Sequence, residues 1–132
     1  MSSIFTKIIN REIPAEIIWE DENFIAFMDA FPAVHGHVLV CPKKEIDYLF
    51  DLDNTTYAGL WEAVKKISTP LQKATEVKRI CLQVEGFQVP HVHVHLLPQD
   101  AYGEEAIARD ISKEAIAEIA EKIRKEIALA DK

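Results

Sequence analysis

The chain has 132 residues, 48% of them hydrophobic, which predicts one globular domain over residues 1–132 and leaves no room for a second of ordinary size. Its 22 acidic and 15 basic residues give a formal net charge of −7, which argues against binding a nucleic-acid polymer or an anionic membrane but not a small phosphorylated ligand. No apolar stretch approaches the roughly 20 residues that span a bilayer, and MSSIFTKIIN lacks the features of a secretory signal, so we expect a cytoplasmic protein.

The first part of the chain predicts a short helix and three strands. Apolar residues recur at helical spacing over residues 4–9, and Pro14 prevents this helix from continuing. AEIIWE and NFIAFMDA, separated by a polar turn, are typical of a β-hairpin. HGHVLVCP is rich in β-branched residues and closed by Pro42, so it predicts a third strand.

The middle of the chain predicts a helix and two further strands. An amphipathic helix follows Asp53 or Asn54, either of which can be its N-cap, and its apolar positions are Leu60, Trp61, Val64, Ile67 and Leu71. Pro70 should kink this helix or stop it around Thr69, because proline removes a backbone donor. KRICLQV and VPHVHVHLLP then predict strands four and five.

The tail, from about residue 100 to 132, predicts one more helix beyond a core of about residues 3–99. Asp110 or Ser112 is its candidate cap, and its apolar stripe is formed by Ile116, Ile119, Ala120, Ile123 and Ile127. We expect this helix to cover the sheet or a partner subunit. The elements together predict an α+β fold with a mostly antiparallel five-stranded sheet, connected as a meander.

Two cysteines, Cys41 and Cys81, are too few for a disulfide scaffold. Each lies in an apolar, strand-like run, so we interpret both as buried free thiols.

Three histidines alternate with aliphatic residues in HVHVHLLP, namely His91, His93 and His95. Successive side chains of a strand point to opposite faces, so the three imidazoles should share one face and leave an oily face for the core. Two more histidines, His35 and His37, flank Gly36 at the start of the third strand. This clustering favours a functional role over solvated or merely satisfied imidazoles.

Two kinds of chemistry fit the histidine cluster. Imidazoles at positions i and i+2 lie about 6–7 Å apart at the backbone, close enough for two to bind one zinc ion with His37 or a carboxylate. Alternatively, one neutral imidazole attacks phosphorus while its neighbours fix its tautomer and stabilise the developing charge. The histidines alone do not separate these interpretations.

Taken together, these segments resemble the histidine triad (HIT) superfamily of nucleotide hydrolases and transferases, whose signature is His-φ-His-φ-His-φ-φ with φ apolar. HVHVHLL fills every position of that signature, and IFTKIINREIPAEIIWED, AFMDAFP and HVLVCPKKEI resemble the family's first helix, hairpin and third strand. The resemblance covers roughly residues 3–99. It is closest to the branch of purine-nucleoside phosphoramidases.

The resemblance implies nucleotidyl transfer in two displacement steps on a purine nucleotide substrate. His93 matches the nucleophile, which attacks the α-phosphorus of a nucleoside phosphoramidate or dinucleoside polyphosphate, and water then releases a nucleoside monophosphate. His95 and His91 match residues that orient the nucleophile or contact phosphate oxygens. His37 matches a fourth, assisting histidine, whereas His35 is incidental. The scheme needs no metal or other cofactor, and the family pattern implies a homodimer.

The resemblance also implies a nucleoside pocket. Asp29 matches a carboxylate that accepts hydrogen bonds from both ribose hydroxyls. The apolar base pocket is matched by Ile4, Phe5, Ile8 and Phe27, which core packing would also explain. In the loop QVEGFQVP, Gln88 aligns with a substrate-contacting serine, and Gln83 is the stand-in for a substrate-contacting asparagine.

One departure concerns zinc. Many members of the family carry a C-x-x-C pair near the N-terminus that helps to bind structural zinc, and Ser3 and Thr6 occupy the matching positions here. Two alternatives to the enzyme remain open at this point. One is a nucleotide-binding or scaffold protein with negligible turnover, and the other is a metalloprotein that uses His91, His93 and His37.

Overall fold

The computed structural model, which describes residues 2–131, contains three α-helices and one five-stranded antiparallel sheet. This confirms the predicted α+β class. The elements run in the order α1 Ile4–Ile9, β1 Ile17–Glu20, β2 Phe24–Met28, β3 Val38–Pro42, α2 Asn54–Thr75, β4 Arg79–Gln83, β5 Val94–Gln99 and α3 Lys113–Ala130. Short 3-10 turns at Leu49–Asp51 and Glu104–Ala106 lie in the connections.

The sheet departs from a simple meander. The strand order is β1-β2-β3-β5-β4, so β5 lies between β3 and β4. Burial explains this order, because most of β5 is buried whereas β4 exposes Arg79, Leu82 and Gln83 and therefore suits an edge. The predicted meander is correct for β1 to β3 and wrong for the last two strands, since α2 carries the chain across the sheet to its far edge.

Helices α2 and α3 cover one face of the sheet. Alternate strand residues, among them Ala26, Val40 and Val94, pack there against Leu60 and Ile67 of α2. The predicted apolar stripe of α3 is buried in the same cluster along its whole length. The Arg124 guanidinium also ties α3 to the first strand, through hydrogen bonds to the Ile17 carbonyl at 3.0 Å and to Glu16 at 2.8 Å.

The opposite face carries the short helix α1 and a smaller apolar cluster. Phe5 and Ile8 of α1 pack there against Ile25, Phe27 and Leu39. The strand residues thus alternate between two cores, and β2 and β3 are buried on both faces. That a single domain spans the whole chain stays a prediction.

The helix boundaries confirm two caps and correct one stop. Asp53 and Ser112 are the N-caps of α2 and α3. The predicted stop around Thr69 is wrong, because α2 continues through Pro70 to Thr75. Pro70 is buried and the next residue, Leu71, is fully buried, so packing of this last turn offsets the lost backbone hydrogen bond.

Both cysteines are free thiols. Cys41 is buried as predicted, and burial raises the pKa of its thiol. Cys81 is only half-buried, because β4 is an edge strand, so that part of the prediction is wrong. Within residues 2–131, the helices are too short or too polar to cross a membrane.

Candidate active site

The histidine segment enters the sheet later than its sequence pattern predicts. Strand β5 begins at Val94, so His91 and His93 lie in the segment that precedes the strand. If the β3–β5 register continued beyond Val40↔Val94, Cys41 would lie opposite His93 and Pro42 opposite Val92. Pro42 has no N–H to donate, and the Val92 N–H bonds instead to the Ile46 carbonyl at 2.8 Å. The ladder therefore ends just before the first two histidines.

The alternation of side chains nevertheless holds through this segment. Val92 and Val94 lie in the cluster beneath α2 and α3. The rings of His91 and His93 lie on the α1 side, where Phe5 contacts both. The expected common face of the histidines is therefore present.

His91 is a fully buried side chain with both ring nitrogens engaged. Its Nε2 lies 2.7 Å from the Pro42 carbonyl oxygen, and its Nδ1 lies 2.8 Å from Ser3 Oγ. A carbonyl only accepts, so Nε2 carries a proton and donates it. Burial lowers the pKa of His91, which favours the neutral ring. His91 therefore offers no free nitrogen to a substrate or a metal.

His93 has one ring nitrogen bound and one left over. Its Nδ1 lies 2.6 Å from the backbone carbonyl oxygen of His91, so Nδ1–H is the donor. In the neutral ring this places a lone pair on Nε2, as a nucleophilic imidazole requires. The ring packs edge-on against Phe5, with centroids 4.7 Å apart, and against His95 at 4.9 Å.

The backbone around Gly36 aims His37 inward. Gly36 has a φ of +83°, and a Cβ there would come within 2.6 Å of Thr75 Cγ2, so only glycine fits this turn. The turn leaves His35 exposed and buries His37. The Ala33 N–H donates to His37 Nδ1 at 3.0 Å.

This single backbone donor sets the tautomers of two rings. Because His37 Nδ1 accepts from Ala33, its proton is on Nε2, which donates to His95 Nδ1 at 2.9 Å. His95 must then carry its own proton on Nε2. Burial lowers the pKa of His37 to about 4 and also lowers the pKa of His95, so both rings are neutral at neutral pH. The site therefore combines an Nε2 lone pair on His93 with an Nε2–H donor on the adjacent His95.

A cavity of about 510 Å³ opens beside these rings. Among the predicted site residues, His37, His95, Gln83 and Gln88 line it. The lining residues that the sequence did not single out are Ala33, Glu85, Phe87, Leu97 and Glu105. His93 is only 4% exposed and is not itself a lining residue, but one of its ring nitrogens lies within 4.8 Å of a carboxylate oxygen of Glu85, which lines the cavity.

Some of the residues expected to contact the nucleoside are buried in an apolar cluster, and others are exposed or half-buried. Phe5, Ile8 and Phe27 are buried in the α1-side cluster, whereas Ile4 is 47% exposed. Asp29 is half-buried beside the site. Its Oδ1 accepts from the Phe31 N–H at 2.8 Å, and its Oδ2 lies 3.6 Å from His37 Nε2. One carboxylate oxygen of Asp29 therefore stabilises a turn.

Among residues 2–131, two groups of side chains have the spacing of a metal site, and both differ from the set predicted for a metalloprotein. They are Asp29 with His37 and His95, and Glu85 with His93 and His95. The assigned tautomers oppose metal binding by both groups, because Nε2 of His37 and Nε2 of His95 carry protons. To bind a metal through Nε2, His95 would have to carry its proton on Nδ1, where it would face the His37 Nε2–H. His37 would likewise have to carry its proton on Nδ1, where it would face the Ala33 N–H.

The positions that match the family's zinc-binding cysteines do not fit zinc either. Thr6 Oγ1 lies 2.6 Å from Glu45 Oε1, and Ser3 Oγ lies 2.8 Å from His91 Nδ1. Structural zinc sites use thiolate and imidazole ligands, and these two hydroxyls are already engaged with protein partners. Ser3 could be noticed from the sequence as the departure from C-x-x-C. Glu45 could not, because it lies 42 residues from Ser3 within a charged run.

Comparison with known proteins places this geometry among relatives. A family model described as the HIT domain matches residues 10–102, which include His37, His91, His93 and His95. An uncharacterised HIT-like protein of Methanocaldococcus jannaschii is 37% identical over 100 residues, covering 73% of this chain and 78% of that protein. A bis(5'-adenosyl)-triphosphatase of Dictyostelium discoideum is 29% identical over 120 residues, covering 85% and 80%. The solved structure of a zinc-bound histidine triad family protein from Mycobacterium smegmatis has a TM-score of 0.86 at 28% identity, covering 99% and 96%.

Proposed function

Because the chain belongs to the HIT domain family, we propose that it is a nucleotide hydrolase or transferase in which His93 attacks the α-phosphorus of its substrate. The substrates are nucleoside phosphoramidates or dinucleoside polyphosphates. The observation that supports this most directly is the adjacent pair formed by the His93 lone pair and the His95 Nε2–H donor. The name of the Dictyostelium relative supports the same class of chemistry.

The proposed first step forms a bond between His93 Nε2 and phosphorus. The bond to the leaving group breaks, and an amine departs with a proton from solvent or a nucleotide departs as an anion. The His95 Nε2–H donates to a nonbridging phosphate oxygen and stabilises the charge that builds up there. The His91 carbonyl meanwhile holds Nδ1–H of His93, so that the attacking tautomer needs no reorganisation.

The proposed second step returns the enzyme to its starting state. A water oxygen bonds to phosphorus and releases one proton to solvent, the His93–phosphorus bond breaks with its electron pair returning to Nε2, and a nucleoside monophosphate leaves. His91 has only an orienting role in this scheme, because it is fully buried and both ring nitrogens are bonded to protein. His37 acts through the tautomer of His95.

The remaining proposed substrate contacts combine two residues that line the cavity with neighbouring residues that do not. Gln83 and Gln88 line it and are proposed to contact the phosphate or the leaving group. Asp29 Oδ2 is proposed to accept from ribose hydroxyls. Ile4 is the exposed member of the proposed base pocket, while Phe5, Ile8 and Phe27 form its floor.

Replacing the nucleophile tests this function. We expect His93→Ala to lower kcat for an adenosine phosphoramidate by at least about a thousandfold, as for other covalent nucleophiles. Intact-mass spectrometry of the quenched wild type should show a nucleotidyl adduct that His93→Ala lacks. His35→Ala is the matched control, because His35 is exposed and lies just across Gly36 from His37. It should retain full activity.

Hydrolysis unaffected by His93→Ala would contradict the mechanism. Tight binding of adenosine monophosphate without turnover of any phosphoramidate or dinucleotide would instead favour a nucleotide-binding scaffold. A panel of phosphoramidates and dinucleoside polyphosphates, scored by kcat/KM, would identify the leaving group. The homodimer and the cytoplasmic location stay predictions, and light scattering would test the former.

A further inference from the structure

A chain of hydrogen bonds connects Glu45 to the ring of His91 through the start of α1. Glu45 Oε1 accepts from the Ser3 backbone N–H at 2.6 Å and from the Thr6 hydroxyl at 2.6 Å. Ser3 Oγ accepts from the Thr6 N–H at 3.1 Å as the N-cap of α1, and lies 2.8 Å from His91 Nδ1. Ser3 and His91 are 88 residues apart, so these bonds join distant parts of the chain.

Each proton in this network has one position that satisfies all its partners. His91 Nε2–H donates to the Pro42 carbonyl, which leaves Nδ1 as an acceptor in the neutral ring. The Ser3 hydroxyl must therefore donate to Nδ1. The Ser3 N–H, followed by the Thr6 hydroxyl, lowers the pKa of Glu45 to about 2, so this carboxylate is ionised and only accepts. The network thus fixes the tautomer of His91, while burial lowers its pKa and favours the neutral ring.

The same network locates the ring of His93 from two sides. On one side, the His91 carbonyl oxygen accepts from His93 Nδ1–H at 2.6 Å. On the other side, Phe5 packs against His93 at an interplanar angle of 77°. Phe5 lies in α1 between Ser3 and Thr6, so hydrogen bonds at the start of α1 also fix the position of its ring.

We propose that Glu45, Ser3, Thr6 and His91 form a metal-free clamp that holds His93 in its attacking tautomer and orientation. Ser3 and Glu45 are positioning residues, since they act on His93 only through His91 and α1. The clamp rests on the proposed function of His93. It includes Ser3 and Thr6, the positions that the family resemblance matches to zinc-binding cysteines, and these positions carry hydroxyl groups that bond to His91 and Glu45.

Three variants separate positioning from helix stability. Ser3→Ala removes the donor to His91 and the N-cap of α1 together. Ser3→Thr keeps both a hydroxyl and a capping oxygen and is the conservative rescue. Ser112→Ala is the matched control, because Ser112 caps α3 through an equivalent 3.1 Å bond from Ala115 N–H and takes no part in the histidine network.

The kcat and KM of these variants should be compared by steady-state kinetics, at a temperature where circular dichroism shows that all of them are folded. Ser3→Ala should lower kcat about tenfold with KM changed less than about twofold, as for other residues that orient a reactive group from behind. Ser3→Thr should stay within about threefold of the wild type, and Ser112→Ala should match it. Wild-type activity should survive dialysis against a metal chelator. Equal kcat values for Ser3→Ala and Ser112→Ala, or loss of activity on chelation, would overturn the clamp.

Nitrogen-15 NMR of the imidazoles gives a second readout that needs no turnover. In the wild type, His93 should be protonated at Nδ1 and His91 at Nε2. In Ser3→Ala, the His91 Nδ1 signal should shift because it loses its hydrogen-bond donor, and the His93 Nδ1 signal should shift as the ring loses its fixed position, whereas Ser112→Ala should keep the wild-type spectrum. An unchanged His93 signal in Ser3→Ala would refute the clamp. Failure of the wild type to turn over any substrate would refute the proposed function but leave this tautomer test valid.

Discussion

The two faces of the sheet are built in different ways. The face beneath α2 and α3 is covered by aliphatic side chains such as Leu60 and Ile67, both fully buried. The face beneath α1 has a smaller apolar cluster, and its helix has only six residues. There, imidazoles that are mostly buried, the buried Ser3 and the exposed carboxylate of Glu45 add specific hydrogen bonds to the apolar packing.

This difference separates stability from chemistry. Apolar contacts have no direction, so side chains on the face beneath α2 and α3 can repack after a conservative substitution without any change in hydrogen bonding. Hydrogen bonds between imidazoles fix where each proton lies, so small changes on the α1 face alter reactivity. The proposed chemistry therefore lies on the α1 face, and the other face provides the larger apolar core.

Truncating one large side chain on each face gives the largest expected contrast. Ile67→Ala should lower the free energy of unfolding by about 2–5 kcal/mol, because it leaves a cavity in the main core. Its kcat, measured where the protein is folded, should match the wild type. Phe5→Ala should cost about 3–5 kcal/mol and also lower kcat, because Phe5 packs on His93. Urea unfolding and steady-state kinetics measure both effects, and an unchanged kcat in Phe5→Ala would contradict the division.

Acid should lower the free energy of unfolding through His37, a buried histidine near the proposed site. The pKa of His37 falls from its ordinary 6.5 to about 4 through burial, so between these values the unfolded chain binds a proton that the folded one does not. The free energy of unfolding should therefore decrease as pH falls from 6.5 to 4, by on the order of 3 kcal/mol for this group. Urea unfolding at several pH values measures it. His37→Asn should flatten the curve, and an equally steep curve in that variant would refute this assignment.

The smallest expected effect concerns leaving-group charge. The charged side chains that line the cavity are Glu85 and Glu105, both acidic. Repulsion from Glu85 should disfavour a polyphosphate leaving group relative to an amine. Glu85→Gln should raise kcat/KM for a dinucleoside triphosphate, relative to a phosphoramidate, about threefold to tenfold, and less at high salt. Glu22→Gln, in the exposed turn between β1 and β2, is the control, and an equal change there would contradict a local effect.

Local patterns predicted the elements but not their long-range pairing. Period-two and helical spacing correctly identified the β1–β2 hairpin, α2 and α3, and side-chain chemistry offered each of the caps Asp53 and Ser112 as one of two candidates. The late start of β5 depends on which residue of β3 faces Val92, and no local pattern reports that register. The continuation of α2 past Pro70 depends likewise on tertiary packing.

The candidate site shows the same limit. Alternation in HVHVH predicted that the three imidazoles share one face, and the structure shows that arrangement. It could not show that His91 is fully buried, that Ala33 N–H sets two tautomers, or that Glu45 bonds to the start of α1. These facts arise from backbone groups and from contacts between segments that are distant in sequence.

Because α1 is short, it can detach from the sheet before the rest of the protein unfolds. Six residues are too few for a helix that is stable by itself in water, so α1 depends on its cap, on Phe5 and Ile8, and on the link to Glu45. Heat or mild denaturant that detaches this one segment would leave the sheet, α2 and α3 in place. Such a molecule would still look native by its overall helicity while it had already lost its catalytic power, so inactivation would precede global melting.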